Sequence, residues 1–232
     1  MKFSEAAKQK KKGTMRKLAN YFFAFDWHFE RRQNEPLNLL EIGIQNGGSL
    51  FAWQQYFPQA KITGIDIDES CRKFEEGNIK VFVGDQADVK FLESVNKETG
   101  PYDIIIDDGG HTMNQQITSF KTLFPLLKDG GVYVIEDLHT SYWPAFFDSS
   151  ENTVKMLKGL IDKLHWWAKS SERASHFFRI KNKLRRLAGR LDENQVTVSG
   201  DYFADNVASI HFYDSICFIY KGQVKHHEVH KI

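Results

Sequence analysis

Residues 37–68, LNLLEIGIQNGGSLFAWQQYFPQAKITGIDID, contain two short apolar runs, the first closing on a glycine-rich turn and the second on an aspartate. Continuous Ile- and Leu-rich runs of this kind suit a parallel strand covered on both faces, and the stretch between them is long enough for a crossover helix. Further runs follow at similar spacing: IKVFVGD (79–85), YDIIIDD (102–108) and GVYVIED (131–137). The alternation predicts an α/β sheet of five parallel strands. VASIHFY (207–213) and SICFIYKG (215–222) are separated only by Asp214, too short for a parallel crossover, so they are expected to form an antiparallel hairpin at the end of the sheet. The outline is a Rossmann-like, mostly parallel seven-stranded sheet.

The 232 residues suffice for one α/β domain with a full core. We expect a single domain over 1–232, with an N-terminal helical segment over about 1–35 and a helical insertion over about 148–201. In the insertion, Leu157, Leu160, Ile161, Leu164 and Ala168 share one helical face, and Phe177, Ile180, Leu184, Leu187 and Leu191 continue a broken stripe. Its other face is basic through RIKNKLRRLAGR (179–190). That pattern suits a solvated face on a packed or oligomerising helix, with peripheral contact to a membrane or an anionic acceptor as the alternative.

The 31 basic and 30 acidic side chains nearly cancel, so charge does not indicate a nucleic-acid partner. Cys71 and Cys217 lie far apart and outside any metal-binding spacing, which argues against a disulfide framework or a zinc ribbon and for a reducing compartment. The opening MKFSEAAKQKKKG lacks an apolar core, and no stretch is long and apolar enough to span a bilayer. A cytoplasmic protein, forming a homo-oligomer, is expected.

Ligands of open α/β sheets sit beyond the carboxyl ends of the strands. There the first run presents Glu41, followed by Gly43, Gly47 and Ser49, where bare backbone can approach a ligand. Asp66 ends the second run, where a carboxylate can accept hydrogen bonds from both hydroxyls of an adenosine ribose. Asp85 and Gln86 end the third, bordering the adenine. A dinucleotide enzyme shares such features, but the G-x-G-x-x-G fingerprint is broken at its second glycine and no P-loop is present. S-adenosylmethionine, which lacks phosphate, does not demand that turn. Capping of the following helices by Glu41 and Asp66 is the plainer alternative.

Two acidic pairs, Asp107–Asp108 and Glu136–Asp137, end adjacent strands, with His111 and His139 close behind. Carboxylates crowded at one rim repel unless a cation sits among them, and oxygen donors favour Mg²⁺, with Mn²⁺ or Ca²⁺ behind it. Asp108, Glu136 and Asp137 are assigned as ligands, and Asp107 is left to shape the cofactor pocket. His111 follows a Gly-Gly turn, and its imidazole, the side chain that exchanges a proton near neutral pH, suits a general base. His139 is adjacent or incidental. Tyr142 and Trp143 are candidates either to cover a sugar ring or to enter the core.

The stretches FDWHFERRQNEPLNLLEIGIQNGGSL (25–50), GIDID (64–68), VFVGDQAD (81–88), IIIDDGGH (104–111), TSFKTLFPLLKDGGVYVIEDLHTSYW (118–143) and DYFADNVASIHFYDSICFIYKG (201–222) together resemble the metal-dependent sugar O-methyltransferases of macrolide tailoring. Cephalosporin-hydroxylase-like proteins share the outline. The resemblance implies a class I methyltransferase fold, S-adenosylmethionine and Mg²⁺ as cofactors, and a sugar or glycan hydroxyl as acceptor. It also implies metal ligation by Asp108, Glu136 and Asp137, with His111 as base. Two features depart from the family. Its GTDK-like element is here Gly13 and Thr14 followed by Met15 and Arg16, and the 148–201 insertion matches no family element. A nicotinamide-dependent oxidoreductase and a non-catalytic binding protein are the rival readings.

Overall fold

In the computed structural model, residues 1–165 and 202–223 are described. Seven strands form one sheet: β1 (Asn38–Ile42), β2 (Lys61–Asp66), β3 (Ile79–Val83), β4 (Ile104–Asp107), β5 (Val132–Ile135), β6 (Val207–Tyr213) and β7 (Ile216–Lys221). Their order is β3-β2-β1-β4-β5-β7-β6, with the first five parallel and β7 antiparallel to both neighbours. This matches the expected sheet. The hairpin turn contains Ser215 as well as Asp214, and Ser215 adopts a left-handed backbone with φ +64°.

The period-two alternation of each run divides the core between the two faces of the sheet. Leu39, Ile104, Ile106, Val132, Val134 and Phe218 point toward α1 (Phe3–Gln9), α2 (Ala19–Phe29) and α3 (Gly48–Tyr56). That layer is packed with aromatic rings: Trp53 lies 4.1 Å from Phe3 and 4.9 Å from Phe25 between ring centroids. Leu40, Ile42, Ile105, Tyr133 and Ile135 face the other way, toward α4 (Val89–Thr99), α5 (Met113–Leu123) and α6 (Thr153–Leu164). Burial on both faces is why the runs are continuous in sequence while each side chain still has an assigned side.

The N-terminal segment is helical in α1 and α2, with an extended connection between them. Of the insertion, α6 is described. It buries Met156, Leu157 and Leu160, but Ile161, expected on the apolar face, is 41 % exposed. Met156 takes the place assigned to Ile161, because the buried face turns toward α5 and toward α7 (Tyr202–Asn206). Ala168, the stripe from Phe177 to Leu191 and the basic run lie outside the described residues. No helix among the described residues is long and apolar enough to cross a membrane.

Candidate active site

The same alternation places the acidic side chains. Glu41 follows Leu39, Asp108 follows Ile106 and Glu136 follows Val134, so all three project to the α1–α3 side of the sheet. Asp107 pairs with Ile135 in register, which sets Asp108 beside Glu136 at the strand ends. Glu41 and Glu136 are fully buried.

The cation among them comes from a residue not singled out in the sequence. Lys17 Nζ lies 2.6 Å from Asp108 Oδ2, 2.6 Å from Glu136 Oε1 and 3.9 Å from Glu41 Oε1, with its side chain 1 % exposed. Burial acts against the ammonium, but the three carboxylates outweigh it and hold Lys17 charged, above its ordinary range. Burial lifts Glu41 to about 7 against the pull of Lys17, and burial and Asp108 raise Glu136 well above the carboxylate range. One ammonium does not balance three carboxylates of which two are out of water, so the cluster keeps a proton on Glu136 or takes a second cation. Glu41 Oε2 and Glu136 Oε2 are buried without a hydrogen-bond partner, which is the mark of a donor set short of positive charge.

Next to this cluster lies a cavity of about 370 Å³. Gly43, Asp66, Asp85 and Gln86 line one part, and Asp108, His111 and Asp137 another. Asp66 Oδ2 accepts the Ile44 and Gln45 N–H groups at 3.0 and 2.7 Å, and Oδ1 accepts from Asp68 N–H at 2.9 Å, so its carboxylate is fixed by backbone as well as facing the cavity. Asp85 likewise accepts from Ala87 N–H at 2.8 Å. Oxygens of Asp108 and Asp137 and a ring nitrogen of His111 all lie within 4.8 Å of one another. His111 Nε2 is 3.5 Å from Asp137 Oδ2 and 3.8 Å from Asp108 Oδ1. These three are the mutually close set of possible ligands among the described residues; Glu136, expected beside Asp108 and Asp137, instead gives Oε1 to Lys17.

Several other expected pocket residues act from behind the wall. Glu41 Oε1 accepts from Trp53 Nε1 at 3.2 Å and faces Lys17 rather than the cavity, and Ser49 is buried and likewise does not line it. Asp107 is buried on the α5 side, where Ser119 donates to it, Tyr133 donates at 3.0 Å and Gln86 Nε2 donates at 3.0 Å. Burial raises its pKa against those donors. Gln86 in turn accepts Gly110 N–H at 2.8 Å, so Asp107 shapes the pocket through Gln86. At Gly43, with φ +87°, a Cβ would run into the Asp108 backbone, so the bare position serves strand-end packing as well as the cavity. Gly47, with φ +71°, does not line the cavity; a Cβ there would meet the Phe74 ring.

Among the described residues four non-glycine positions have positive φ, and three of them line the cavity: Gln45 at +40°, His111 at +58° and Asp137 at +54°. Left-handed backbone at such residues costs about 1–3 kcal/mol each and persists where the surroundings dictate it. His111 is held by Thr140, whose hydroxyl donates to its carbonyl at 3.1 Å, and by α5, which starts immediately after it under a Thr112–Gln115 capping box. Asp137 is held by Tyr21, whose hydroxyl lies 2.8 Å from Asp137 Oδ1 and accepts the Asp137 N–H at 3.1 Å. Tyr142 and Trp143, left open between pocket and core, are 67 % and 52 % exposed and do not line the cavity. His139 lies 4.6 Å from the Trp143 ring and is likewise outside it.

Residues 40–138 match a family model described as a methyltransferase domain. The chain is 34 % identical to the mycinamicin VI 2''-O-methyltransferase of Micromonospora griseorubida over 86 % of this chain and 47 % of that protein. It is 35 % identical to the demethylmacrocin O-methyltransferase of Streptomyces fradiae over 85 % of this chain and 47 % of that protein. Among solved structures, the mycinamycin-pathway methyltransferase MycE, in complex with Mg, SAH and mycinamycin VI, superposes with a TM-score of 0.76 at 30 % identity, covering 96 % of this chain and 54 % of that one. The chain thus spans about half the length of the relatives it matches. Sheet order, acidic strand ends and these likenesses agree: the chain has the class I methyltransferase fold and resembles the metal-dependent sugar O-methyltransferases of macrolide tailoring.

Proposed function

We propose that the protein methylates a hydroxyl group of a sugar, on a glycosylated natural product or a glycan, using S-adenosylmethionine and a divalent cation, Mg²⁺ first. The observation that carries this reading is the union, in one cavity, of a ribose-type carboxylate at Asp66 with the Asp108–His111–Asp137 group. Names of relatives support the acceptor class, since those proteins act on mycinamicin VI, demethylmacrocin and rhamnosyl tetracenomycin-C.

Bound S-adenosylmethionine supplies an electrophilic methyl group, and bound Mg²⁺ supplies charge that acidifies a hydroxyl and fixes its direction. Asp66 would orient the ribose, and Asp85 and Gln86 would border the adenine. Asp108, Asp137 and Glu136, the last with Oε2 unpartnered, would hold the cation, as their oxygen-only chemistry and shortage of positive charge fit it. His111 Nε2, 3.8 Å from Asp108 Oδ1 and 3.5 Å from Asp137 Oδ2, is placed to receive the hydroxyl proton. The strained backbone at His111 and Asp137 holds both groups before the acceptor arrives, so catalysis rests largely on alignment. One domain with an insertion over about 148–201, self-association and a cytoplasmic location are proposed with this reading. Exposed Phe23 and Trp27, 6.1 Å apart on α2, support self-association, and two buried free cysteines support a reducing compartment.

The test is methyl transfer from labelled S-adenosylmethionine to a panel of deoxysugar-bearing polyketides and glycans, with and without a chelator. Transfer should occur with Mg²⁺ and stop on chelation. Undiminished transfer in the chelator would contradict the metal role.

A further inference from the structure

We propose that Arg16 binds the carboxylate of the methionine moiety of S-adenosylmethionine, a role that rests on the cofactor reading above. The first ground is the charge inventory of the cavity. Its ionisable lining comprises the carboxylates Asp66, Asp85, Asp108 and Asp137, the imidazole of His111, and a single guanidinium, Arg16. The methionine moiety carries two cationic centres, ammonium and sulfonium, and one anion, its carboxylate. Asp66 and Asp85 are assigned to the adenosine and Asp108 and Asp137 to the divalent cation, so Arg16 is the permanent cation of the lining left for the anion. Among the described residues the Arg16 guanidinium makes no ion pair, whereas the neighbouring Lys17 is spent on Glu41, Asp108 and Glu136.

The second ground is position. The connection between α1 and α2 is laid against the turn after β1: Thr14 bridges Gly47 in parallel, and Gly13 and Gly48 lie so close to the opposing backbone that a Cβ on either would collide with it. Lys12 pairs with Glu76 on one side of this contact and Lys17 anchors the other. Arg16 is therefore held at the end of the cavity formed by Gly43 and Gln45, and it also lines an adjoining smaller hollow with Thr14, Met15, Gln45 and Asn46. With adenosine along Asp66, Asp85 and Gln86 and the methyl group near His111, the amino-acid tail would run along the Gly43–Gln45 turn toward Arg16.

Calorimetric titration with S-adenosylmethionine and with its decarboxylated analogue separates this role from a structural one. Arg16→Ala should weaken S-adenosylmethionine by about tenfold or more, the scale of a charge-assisted hydrogen bond, and leave the decarboxylated analogue unchanged. Arg16→Lys should recover part of the loss. Equal weakening of both ligands, or unaltered binding of S-adenosylmethionine, would overturn the assignment. Failure of the unsubstituted protein to bind either ligand would overturn the cofactor reading itself, and Arg16 with it.

Discussion

Replacing Lys17 with Met is expected to lower the stability of the fold by about 3–5 kcal/mol, the scale found when one partner of a buried ion pair is removed. The side chain is almost wholly buried and its ammonium offsets three carboxylates, two of them inaccessible to water. Without it, Glu41 and Glu136 either stay charged and unpaired or bind protons, and both cost stability near neutral pH. For a chain of this size the loss corresponds to a fall of roughly 6–20 °C in the unfolding midpoint. Added Mg²⁺ should recover more stability in Lys17→Met than in the unsubstituted protein, because the metal supplies the missing positive charge. Calorimetric melts with and without Mg²⁺ measure both effects. A variant as stable as the parent would mean the cluster does not depend on Lys17.

Removing the His111 imidazole is expected to lower turnover by about 10²- to 10⁴-fold, the usual contribution of a positioned base. Binding of S-adenosylhomocysteine and Mg²⁺ should change little, and the loss should ease at high pH, where the acceptor hydroxyl ionises unaided. Because His111 has a left-handed backbone, His111→Asn is the better substitution; Asn tolerates that conformation where Ala is strained. Asp108→Asn and Asp137→Asn should behave differently, weakening Mg²⁺ binding and regaining part of their activity at high metal. Comparing pH–rate profiles and metal titrations across the three variants distinguishes the roles. Full activity of His111→Asn at neutral pH would remove His111 from the proton step.

The sheet was legible because its strands are apolar on both faces and end in carboxylates, and a run such as YDIIIDD has few other places to fold. Residues at strand ends were located for the same reason. Which way each carboxylate faces was less accessible. Alternation along β4 turns Asp107 toward Ser119 and Tyr133 and Asp108 toward Lys17, and only the register between β4 and β5 sets Asp108 against Glu136.

Lys17 lies one residue beyond the segment Gly13 to Arg16 that stands where the family has its GTDK-like element, so the resemblance does not mark it. A local signal is nevertheless present: three carboxylates converging on one face require a cation, and the segment before α2 is rich in lysine. Ile161 was misplaced because helical periodicity fixes a face only to within a neighbouring position, so Met156 and Ile161 compete at its edges. Gly43 borders the cavity and also admits the Asp108 backbone, whereas Gly47 admits the Phe74 ring away from it, a difference that sequence spacing does not reveal.

Calorimetric titration of the protein with S-adenosylhomocysteine and, separately, with NAD tests the central claim most directly. S-adenosylhomocysteine should bind at one site per chain, persist in a chelator and weaken by roughly 1.5–3 kcal/mol in Asp66→Ala, as expected for lost hydrogen bonds to a charged group. NAD should give no saturable heat. Saturable NAD binding with none of S-adenosylhomocysteine would contradict the account.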